Sequence, residues 1–265
     1  MSLHLAVYSV KVHSTSFPAT GAHRSRCNGG EMEPILFYGV PEGCSFGSIV
    51  ALEWAGRPYR LCRIEMPKIV STEAYRRINP LGETPTFLSE AGAVFSQSST
   101  ILRHIALGSS DPRMGPRPGE KGHERLDEML AFLHTTFFSA FGPLWQAIEG
   151  AEGAEKEVLT SVGRRKVKKA HQQLEQLLGG RPWLAGNGPT IADAYFVGIA
   201  RWNDFHAVLD RSDYPGLNSL YRRLQEDPAV RFAHAIEHGE EARSAGSFLG
   251  HISLEAALET LRVAV

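Results

Sequence analysis

The sequence predicts a small α/β sandwich followed by an all-helical domain. Short apolar runs with strand character stop at Phe95, and every periodic segment beyond about residue 120 has helical spacing. Between the two parts, residues 109–119 are rich in proline and glycine, which is the composition of a linker. The two halves of the chain are therefore expected to be separate domains.

Strand and helix patterns alternate through the first half. Residues 35–38 form a short apolar run closed by Gly39 and Pro41, the pattern of a buried strand. The elements that follow are a helix over 45–55, a strand over 59–64, a weakly helical piece over 71–78, a hairpin over 86–88 and 93–95, and a helix over 98–107. The whole unit spans about 75 residues, which suits a small α/β sandwich.

Helical periods account for the second half. Residues 126–145 carry a thick apolar and aromatic face, in which Pro143 is expected to cause a kink. Further helices are predicted over 162–178, 190–202, 217–224 and 229–236. We therefore expect a peripheral extension at residues 1–32, the α/β domain at 33–108, a linker at 109–119, the helical domain at 120–240 and a tail at 241–265.

Composition excludes several classes of function. The chain has 265 residues, of which 43% are hydrophobic, and a net charge of -1, so we expect no attraction to nucleic acid or to an anionic membrane. No apolar run is as long as a membrane span requires. The three cysteines, Cys27, Cys44 and Cys62, are too few for a disulfide framework and lack the spacing of a zinc site. These features predict a soluble cytoplasmic protein with free thiols and no metal.

Residues 43–47, Gly-Cys-Ser-Phe-Gly, contain two candidate nucleophiles. The pattern G-x-S-x-G would make Ser45 the nucleophile of a hydrolase, but that fold needs a long parallel sheet, and the strands here stop at Phe95. Ser45 is better explained as a helix N-cap. At the same helix start, the macrodipole and unpaired N–H groups would lower the pKa of the Cys44 thiol and stabilise a thiolate. A cysteine packed as a small apolar residue is the equal alternative.

A second feature of interest is the pair Thr84-Pro85, just before the predicted hairpin. A cis proline at this place could expose backbone groups that pair with a peptide-like ligand. A trans proline in a turn is the commoner arrangement, and the sequence alone favours it.

Four segments occur in an order and spacing typical of one protein family. They are N-P-L-G-E-T-P at 79–85, Q-S-S-T-I-L at 97–102, W-L-A-G at 183–186 and T-I-A-D at 190–193. Residues 33 to about 238 thereby resemble a cytosolic glutathione transferase, and Y-G-V-P-E-G-C-S at 38–45 resembles the bacterial beta class. The resemblance implies a thioredoxin-like first domain, an all-α second domain and a homodimer.

The resemblance also implies a glutathione site, which must offer backbone groups, an anion-binding helix start and cations to this tripeptide. Cys44 would contact the glutathione sulfur, with Ser45 as a second candidate catalytic residue. Thr84 would pair with the cysteinyl backbone, and Gln97 and Ser98 would hold the γ-glutamyl carboxylate. The implied glutathione-binding residues are Tyr38, Lys68, Thr84, Pro85, Gln97 and Ser98, and the implied electrophile pocket contains Phe138 and Phe141.

Three further patterns qualify this interpretation. The beta class usually places a histidine three residues before the Phe of F-G-P-L at 141–144; this chain has Phe138 there, with His134 one turn earlier. His234, Glu237 and His238 match the metalloprotease pattern H-x-x-E-H but lie near the end of the last predicted helix, so we expect no metal site. The basic run at 164–169 is best explained as a solvated helix face.

Two hypotheses of function follow from the resemblance. In the first, the protein is an enzyme of detoxification that uses the thiol of glutathione, its co-substrate. It would conjugate a small electrophile or, through Cys44, reduce a disulfide-type substrate. In the second, the protein is a binding or regulatory relative with little turnover, because a fold does not determine a function.

Overall fold

A five-stranded mixed sheet organises the first half of the chain. The computed structural model describes residues 32–245 and 247–264. The strands of the sheet are β1 (Ile35–Val40), β2 (Tyr59–Glu65), β3 (Thr86–Leu88), β4 (Val94–Ser96) and β5 (Phe248–His251). They lie in the order β4-β3-β1-β2-β5, in which β1 and β2 are parallel, β2 and β5 are parallel, and β3 is antiparallel to β1 and β4.

Both faces of the central strand are buried, which explains its unbroken apolar sequence. Leu36, Tyr38 and Val40 belong to the larger apolar core, whereas Ile35 and Phe37 belong to a smaller core on the other face. Three helices accompany these strands, namely α1 (Phe46–Ala55), α2 (Glu73–Arg76) and α3 (Ser98–Leu107). The predicted order of strand, helix, strand, helix, hairpin and helix is confirmed.

The segment predicted as a tail, residues 241–265, contains regular structure that the sequence analysis missed. Strand β5 extends the sheet beyond β2, and helix α11 (Leu254–Ala264) follows it. Ala257 of α11 is fully buried in the smaller core beside Cys62 and Tyr75. The expectation that strands stop at Phe95 is therefore wrong, because a strand distant in sequence pairs with the free edge of β2.

The second half is helical, as predicted. Its helices are α4 (His123–Phe132), α5 (Gly142–Glu149), α6 (Gly153–Leu178), α7 (Ile191–Ala200), α8 (Trp202–His206), α9 (Pro215–Gln225) and α10 (Pro228–His238). A π-helical turn over Leu133–Phe138 continues α4. The helix predicted over 126–145 is interrupted at Phe141, close to the expected kink, and Pro143 stands in the first turn of α5, where its missing N–H costs no hydrogen bond.

Helices α1 and α7 cross at two glycines. A Cβ atom on Gly47 would lie 2.5 Å from the carbonyl oxygen of Ala194, and one on Gly198 would lie 2.9 Å from the backbone nitrogen of Gly47. The second glycine of the G-x-S-x-G pattern is therefore needed for close helix packing and not for a hydrolase elbow.

The fold class is confirmed as a thioredoxin-like domain with an all-helical domain. The boundaries at 33–108, 109–119 and 120–240 stay predictions, and the extension predicted at 1–32, with Cys27, lies outside the described residues except for Met32. Among the described residues, no helix combines the length and the apolar character that crossing a membrane would require.

Candidate active site

A cleft of about 590 Å³ brings the loop before α1 and the start of α3 together with the π-helical turn and α7. Five of the predicted residues for thiol and glutathione contacts line it, namely Cys44, Thr84, Pro85, Gln97 and Ser98. Its lining consists of Cys44, Met66, Gly82, Glu83, Thr84, Pro85, Ser96, Gln97, Ser98, His134, Thr135, Phe138, Ser139 and Tyr195.

The Cys44 side chain is half-buried at this cleft and points across it. Its Sγ donates a hydrogen bond to the carbonyl oxygen of Thr84 at 3.3 Å. The Thr84–Pro85 peptide bond is cis, so the expectation of a trans proline is wrong. Cys44 and Thr84, which are 40 residues apart, thus meet directly.

The expected lowering of the pKa of Cys44 is also wrong. Burial removes water from the thiol and raises its pKa to about 11, although the nearby Ser98 hydroxyl acts in the opposite direction. The dipole of a helix acts most strongly within its first turn. Helix α1 begins only at Phe46, so the Cys44 thiol lies before that turn. The ligand-free thiol is therefore protonated near neutral pH.

Buried polar groups hold the loop that carries Thr84. Asn79 donates from Nδ2 to the carbonyl oxygen of Glu83 at 2.9 Å and to the Thr86 hydroxyl at 3.0 Å. The Tyr75 hydroxyl donates to the same Glu83 oxygen at 2.8 Å. Because these groups are satisfied by one another, the segment N-P-L-G-E-T-P is rigid where it borders the cleft.

The start of α3 forms the facing wall. Ser98 is the first residue of the helix, and its hydroxyl donates to the carbonyl oxygen of Cys44 at 3.2 Å. Gln97 is exposed at the cleft and has a backbone φ of 75°, a left-handed conformation that is uncommon for a residue with a Cβ atom. Such conformations concentrate at functional sites. An anion at this position would meet the free N–H groups of the helix start.

Two predicted residues lie outside the cleft. The Ser45 side chain is fully buried and accepts a hydrogen bond from the backbone nitrogen of Gly39 at 3.2 Å. It stands at the N-cap position of α1, as predicted, but its side chain makes no capping hydrogen bond, and its predicted catalytic role stays a prediction. Tyr38 is fully buried as well, and its hydroxyl lies 3.1 Å from Nε2 of His251 in β5. Its predicted contact with glutathione has no support from this placement and stays a prediction.

Three predicted residues remain, of which Phe138 lines the cleft and Phe141 and Lys68 do not. Phe138 lines the cleft and is stacked on His134, with ring centroids 6.0 Å apart. Phe141 is fully buried and packs edge-on against Phe137 at 5.9 Å, so it lies in the core, and its place in an electrophile pocket stays a prediction. Lys68 is exposed and does not line the cleft, and its predicted contact with glutathione stays a prediction.

Sequence reasoning missed Tyr195, which reaches the cleft from α7. Its hydroxyl lies 3.1 Å from Nδ1 of His134, the histidine one turn before Phe138. The start of α7 was predictable, because the Asp193 carboxylate accepts hydrogen bonds from the Thr190 nitrogen and hydroxyl at 2.8 and 2.9 Å. Sequence spacing does not predict that the Tyr195 hydroxyl contacts His134.

A buried ion-pair network anchors the loop that carries Cys44. Arg201 pairs with Glu42 and donates to the carbonyl oxygen of Gly43 at 2.8 Å and to Glu237 at 2.9 Å. Glu237 belongs to the H-x-x-E-H pattern, so this pairing gives the motif's acidic residue a structural partner. Among residues 32–245 and 247–264, no group of three or more His, Cys, Asp or Glu side chains is placed to hold a metal ion.

The cleft borders a second, open groove of about 300 Å³. Thr135 and Ser139 line both, so these small side chains lie between the two spaces. The groove also contains Lys166 and Lys169, which are exposed on α6. A ligand that extends from the cleft past Ser139 would therefore approach two positive charges.

Comparison with known proteins agrees with this geometry. Residues 127–228 match the family model described as the glutathione S-transferase C-terminal domain. The chain is 27% identical to glutathione S-transferase GST-4.5 of Xanthomonas campestris over 77% of its own length and 98% of that protein. It is 24% identical to glutathione S-transferase GstA of Escherichia coli O157:H7, covering 76% of this chain and 98% of that one.

Solved structures show the same relationship. A sphingomonad glutathione S-transferase complexed with glutathione is similar with a TM-score of 0.68 and 26% identity, and 77% of this chain covers 98% of it. The bacterial beta-class enzyme of Sphingomonas chungbukensis is similar with a TM-score of 0.67 and 25% identity, over 77% of this chain and 98% of that one. The fold, the cleft and these similarities agree in one respect: over about three quarters of its length the chain is similar to bacterial glutathione S-transferases.

Proposed function

We propose that this protein is a glutathione transferase whose cleft binds glutathione with its sulfur beside Cys44. The proposal rests on one observation: within a single cleft, Cys44 is hydrogen-bonded to both Thr84 and Ser98. Thr84 offers backbone groups to the cysteinyl part of the tripeptide, and the start of α3 offers N–H groups to the γ-glutamyl carboxylate. The comparisons favour an enzyme over a relative that only binds.

Two reactions fit this arrangement. In conjugation, the site holds the glutathione sulfur beside an electrophile. Much of the rate acceleration then comes from the proximity of the two reacting groups. In reduction, the Cys44 thiolate attacks a disulfide, and a second glutathione resolves the mixed disulfide. The thiol of Cys44 faces the cleft directly, which favours reduction as one of its activities.

The second substrate would bind beside Phe138 and extend toward the groove that contains Lys166 and Lys169. One aromatic wall and two small polar residues suit a compact electrophile or a disulfide. The two lysines suit a substrate with a carboxylate or another negative group at its far end. We therefore propose a small, anion-bearing second substrate.

Three further properties belong to the same proposal. We propose that the protein acts in the cytoplasm, that it forms a homodimer, and that it contributes to detoxification. The free thiols Cys44 and Cys62 support a reducing compartment. Sedimentation velocity of the full chain tests the dimer, which predicts twice the mass of the 29.1 kDa protomer.

The intact mass of the protein after incubation with oxidised glutathione tests the central claim. We expect one glutathione adduct on the wild type and none on Cys44→Ser. Cys62→Ser is the matched control, because Cys62 is fully buried on the other face of the sheet and its thiol has a pKa raised by burial to about 12. Calorimetry measures glutathione binding in parallel.

The outcomes separate the alternatives. An adduct that is lost only in Cys44→Ser supports reduction through Cys44. Binding without an adduct leaves conjugation, in which Cys44 takes no covalent part. If the wild type neither binds glutathione nor forms an adduct, the proposal is wrong and a binding or regulatory function replaces it.

A further inference from the structure

Strand β5 and helix α11 add a further layer to the α/β domain. Strand β5 pairs with β2, and α11 follows it and packs against α2 and β2. This segment lies beyond residues 127–228, which the family model matches. None of the residues 248–264 lines the cleft. Any effect of the segment on a ligand in the cleft must therefore act through intervening residues.

Polar contacts fasten β5 and the residues before it to the domain. The buried carboxylate of Glu53, in α1, accepts hydrogen bonds from the Ser244 hydroxyl at 2.8 Å and from the backbone nitrogen of Ala245 at 2.7 Å. Within β5, Nε2 of His251 lies 3.1 Å from the Tyr38 hydroxyl. These contacts fix the place at which α11 meets the sheet.

Helix α11 completes the smaller apolar core. Its Ala257 is fully buried there, and Leu254, Leu258 and Leu261 pack against the same core with part of their surface exposed. Tyr75 of α2 belongs to this core and is fully buried as well. Because close-packed side chains have little room to shift, the position of Tyr75 depends on the docking of α11.

Tyr75 connects this core to the loop beside the cleft. Its ring packs edge-on against Phe37 of β1 at 6.3 Å. Its hydroxyl donates to the carbonyl oxygen of Glu83 at 2.8 Å and lies 3.0 Å from the Thr86 hydroxyl. The peptide bond between Glu83 and Thr84 is planar, so a carbonyl held in one direction also fixes the direction of the Thr84 N–H. Thr84 is the residue that offers backbone groups to glutathione in the proposed function.

We propose that residues 248–264 form a brace that holds Thr84 in the geometry that binds glutathione, with Tyr75 as the positioning residue between them. This inference deepens the proposed function and rests on it. Loosening α11 should weaken glutathione binding. Because coupling between two sites is reciprocal, glutathione binding should in turn strengthen the docking of α11.

The first test loosens α11 without placing a polar group in the core. The double variant Leu258→Ala and Leu261→Ala truncates two partly buried side chains, and calorimetry measures its affinity for glutathione. We expect the Kd of glutathione to rise about 10-fold, a usual size for coupling between two sites. The KM for glutathione should rise by a similar factor. The kcat at saturating glutathione should stay within about 2-fold of the wild type, because the cleft beside Phe138 is unchanged.

Leu177→Ala is the matched control for a general loss of stability. Leu177 is a partly buried leucine of α6 that packs against the larger core, so its truncation leaves the brace intact. Its Kd for glutathione should stay within about 2-fold of the wild type. Hydrogen exchange of the ligand-free proteins locates the change: the amides of residues 72–86 should exchange faster in the α11 variant than in Leu177→Ala.

The second test removes the link itself. Tyr75→Phe keeps the ring in the core and deletes the hydroxyl that holds the Glu83 carbonyl, so it should raise the Kd of glutathione about 10-fold as well. Combined with the α11 variant, it should raise Kd by less than the product of the two separate factors, because both act through one contact. Tyr214→Phe is the control, since the Tyr214 hydroxyl bonds to the carbonyl oxygen of Lys168 at 3.3 Å in the helical half.

The outcomes distinguish this inference from the proposed function. In the wild type, glutathione should slow hydrogen exchange in α11. If the α11 variant binds glutathione with wild-type affinity, or if glutathione leaves exchange in α11 unchanged, the inference is wrong and the proposed function survives. An equal rise of Kd in Leu177→Ala also overturns the inference, because it would reflect a general loss of stability. If the wild type binds no glutathione, the proposed function fails, and the inference that rests on it fails too.

Discussion

The guanidinium group of Arg201 donates a hydrogen bond to the carbonyl oxygen of Gly43 at 2.8 Å. Arg201 follows α7 in the helical half of the chain, whereas Gly43 immediately precedes Cys44 in the α/β half. The position of the thiol is thus set from the helical side, by a side chain that is almost fully buried and also bonds to Glu237.

Removing this arginine should damage both stability and the site. Arg201→Ala leaves the buried carboxylate of Glu237 without its partner, and breaking a buried pair costs about 3 to 5 kcal/mol. Urea unfolding measures this loss. The control is Arg231→Ala, since Arg231 and Glu226 form an exposed pair that is worth less than about 1 kcal/mol. Equal losses in the two variants would contradict the anchoring role.

The Cys44 thiol of the ligand-free protein should react slowly at neutral pH. Burial raises its pKa to about 11, so the thiolate fraction is small and grows tenfold per pH unit up to that value. The rate of alkylation by iodoacetamide, followed by peptide mass spectrometry at this one site, should rise accordingly. A rate that is already constant above about pH 8 would show an ordinary or lowered pKa.

Phe138 and Phe141 should respond differently to truncation. Phe141→Ala removes a fully buried ring and should cost about 3 to 5 kcal/mol of unfolding free energy. Phe138→Ala should cost about 1 kcal/mol but raise KM for the second substrate about 10-fold, because this ring lines the cleft. Urea unfolding and steady-state kinetics separate the two effects, and a reversed result would mean that Phe141 forms the pocket.

Acid should destabilise the helical half through His171. This histidine is buried beside Phe137, and burial lowers the pKa of its imidazole to about 4, from an ordinary value of 6.5. The unfolded chain binds the proton first as the pH falls, so stability that is present above pH 6.5 is lost toward pH 4. The loss amounts to about 3 kcal/mol.

The variant His171→Gln should have a flatter dependence of unfolding free energy on pH over this range. His104→Gln, which changes a half-exposed histidine of α3, is the control and should keep the wild-type slope. An identical slope in His171→Gln and the wild type would show that His171 is not the titrating group.

Charge in the groove beside the cleft should select among second substrates. The double variant Lys166→Ala and Lys169→Ala should raise KM for a substrate with a carboxylate about 3- to 10-fold and leave a neutral analogue unchanged. Lys168→Ala is the matched control, because Lys168 is exposed on the same helix but does not line the groove. An equal effect on both substrates would exclude recognition of charge.

Local patterns were sufficient for most elements and for part of the site. The apolar run of β1 and the glycine that ends α1 predicted these elements, because propensity and period act over a few residues. The segment that contains Thr84 and Pro85 and the pair Gln97-Ser98 were found through a family resemblance. In these two segments the backbone itself forms the wall of the cleft, so their role does not depend on where a side chain from a distant part of the sequence points.

The direction in which a side chain points could not be predicted from the sequence. Tyr38, Ser45 and Phe141 have residue types that suit a site, but each is buried with partners elsewhere. A one-residue change of direction along a strand or a helix start decides between cleft and core. Sequence spacing does not contain that information when both faces of an element are buried.

The sequence by itself determined the class of fold, the order of the strands and helices from residue 35 to residue 107 and the presence of a cysteine next to a helix start. Only the tertiary structure decided that β5 closes the sheet edge, that burial raises the pKa of Cys44, and that His134 meets Tyr195. These are contacts between residues far apart in the chain. Their energies depend on desolvation and on distances of about 3 Å, which follow from packing and not from local sequence.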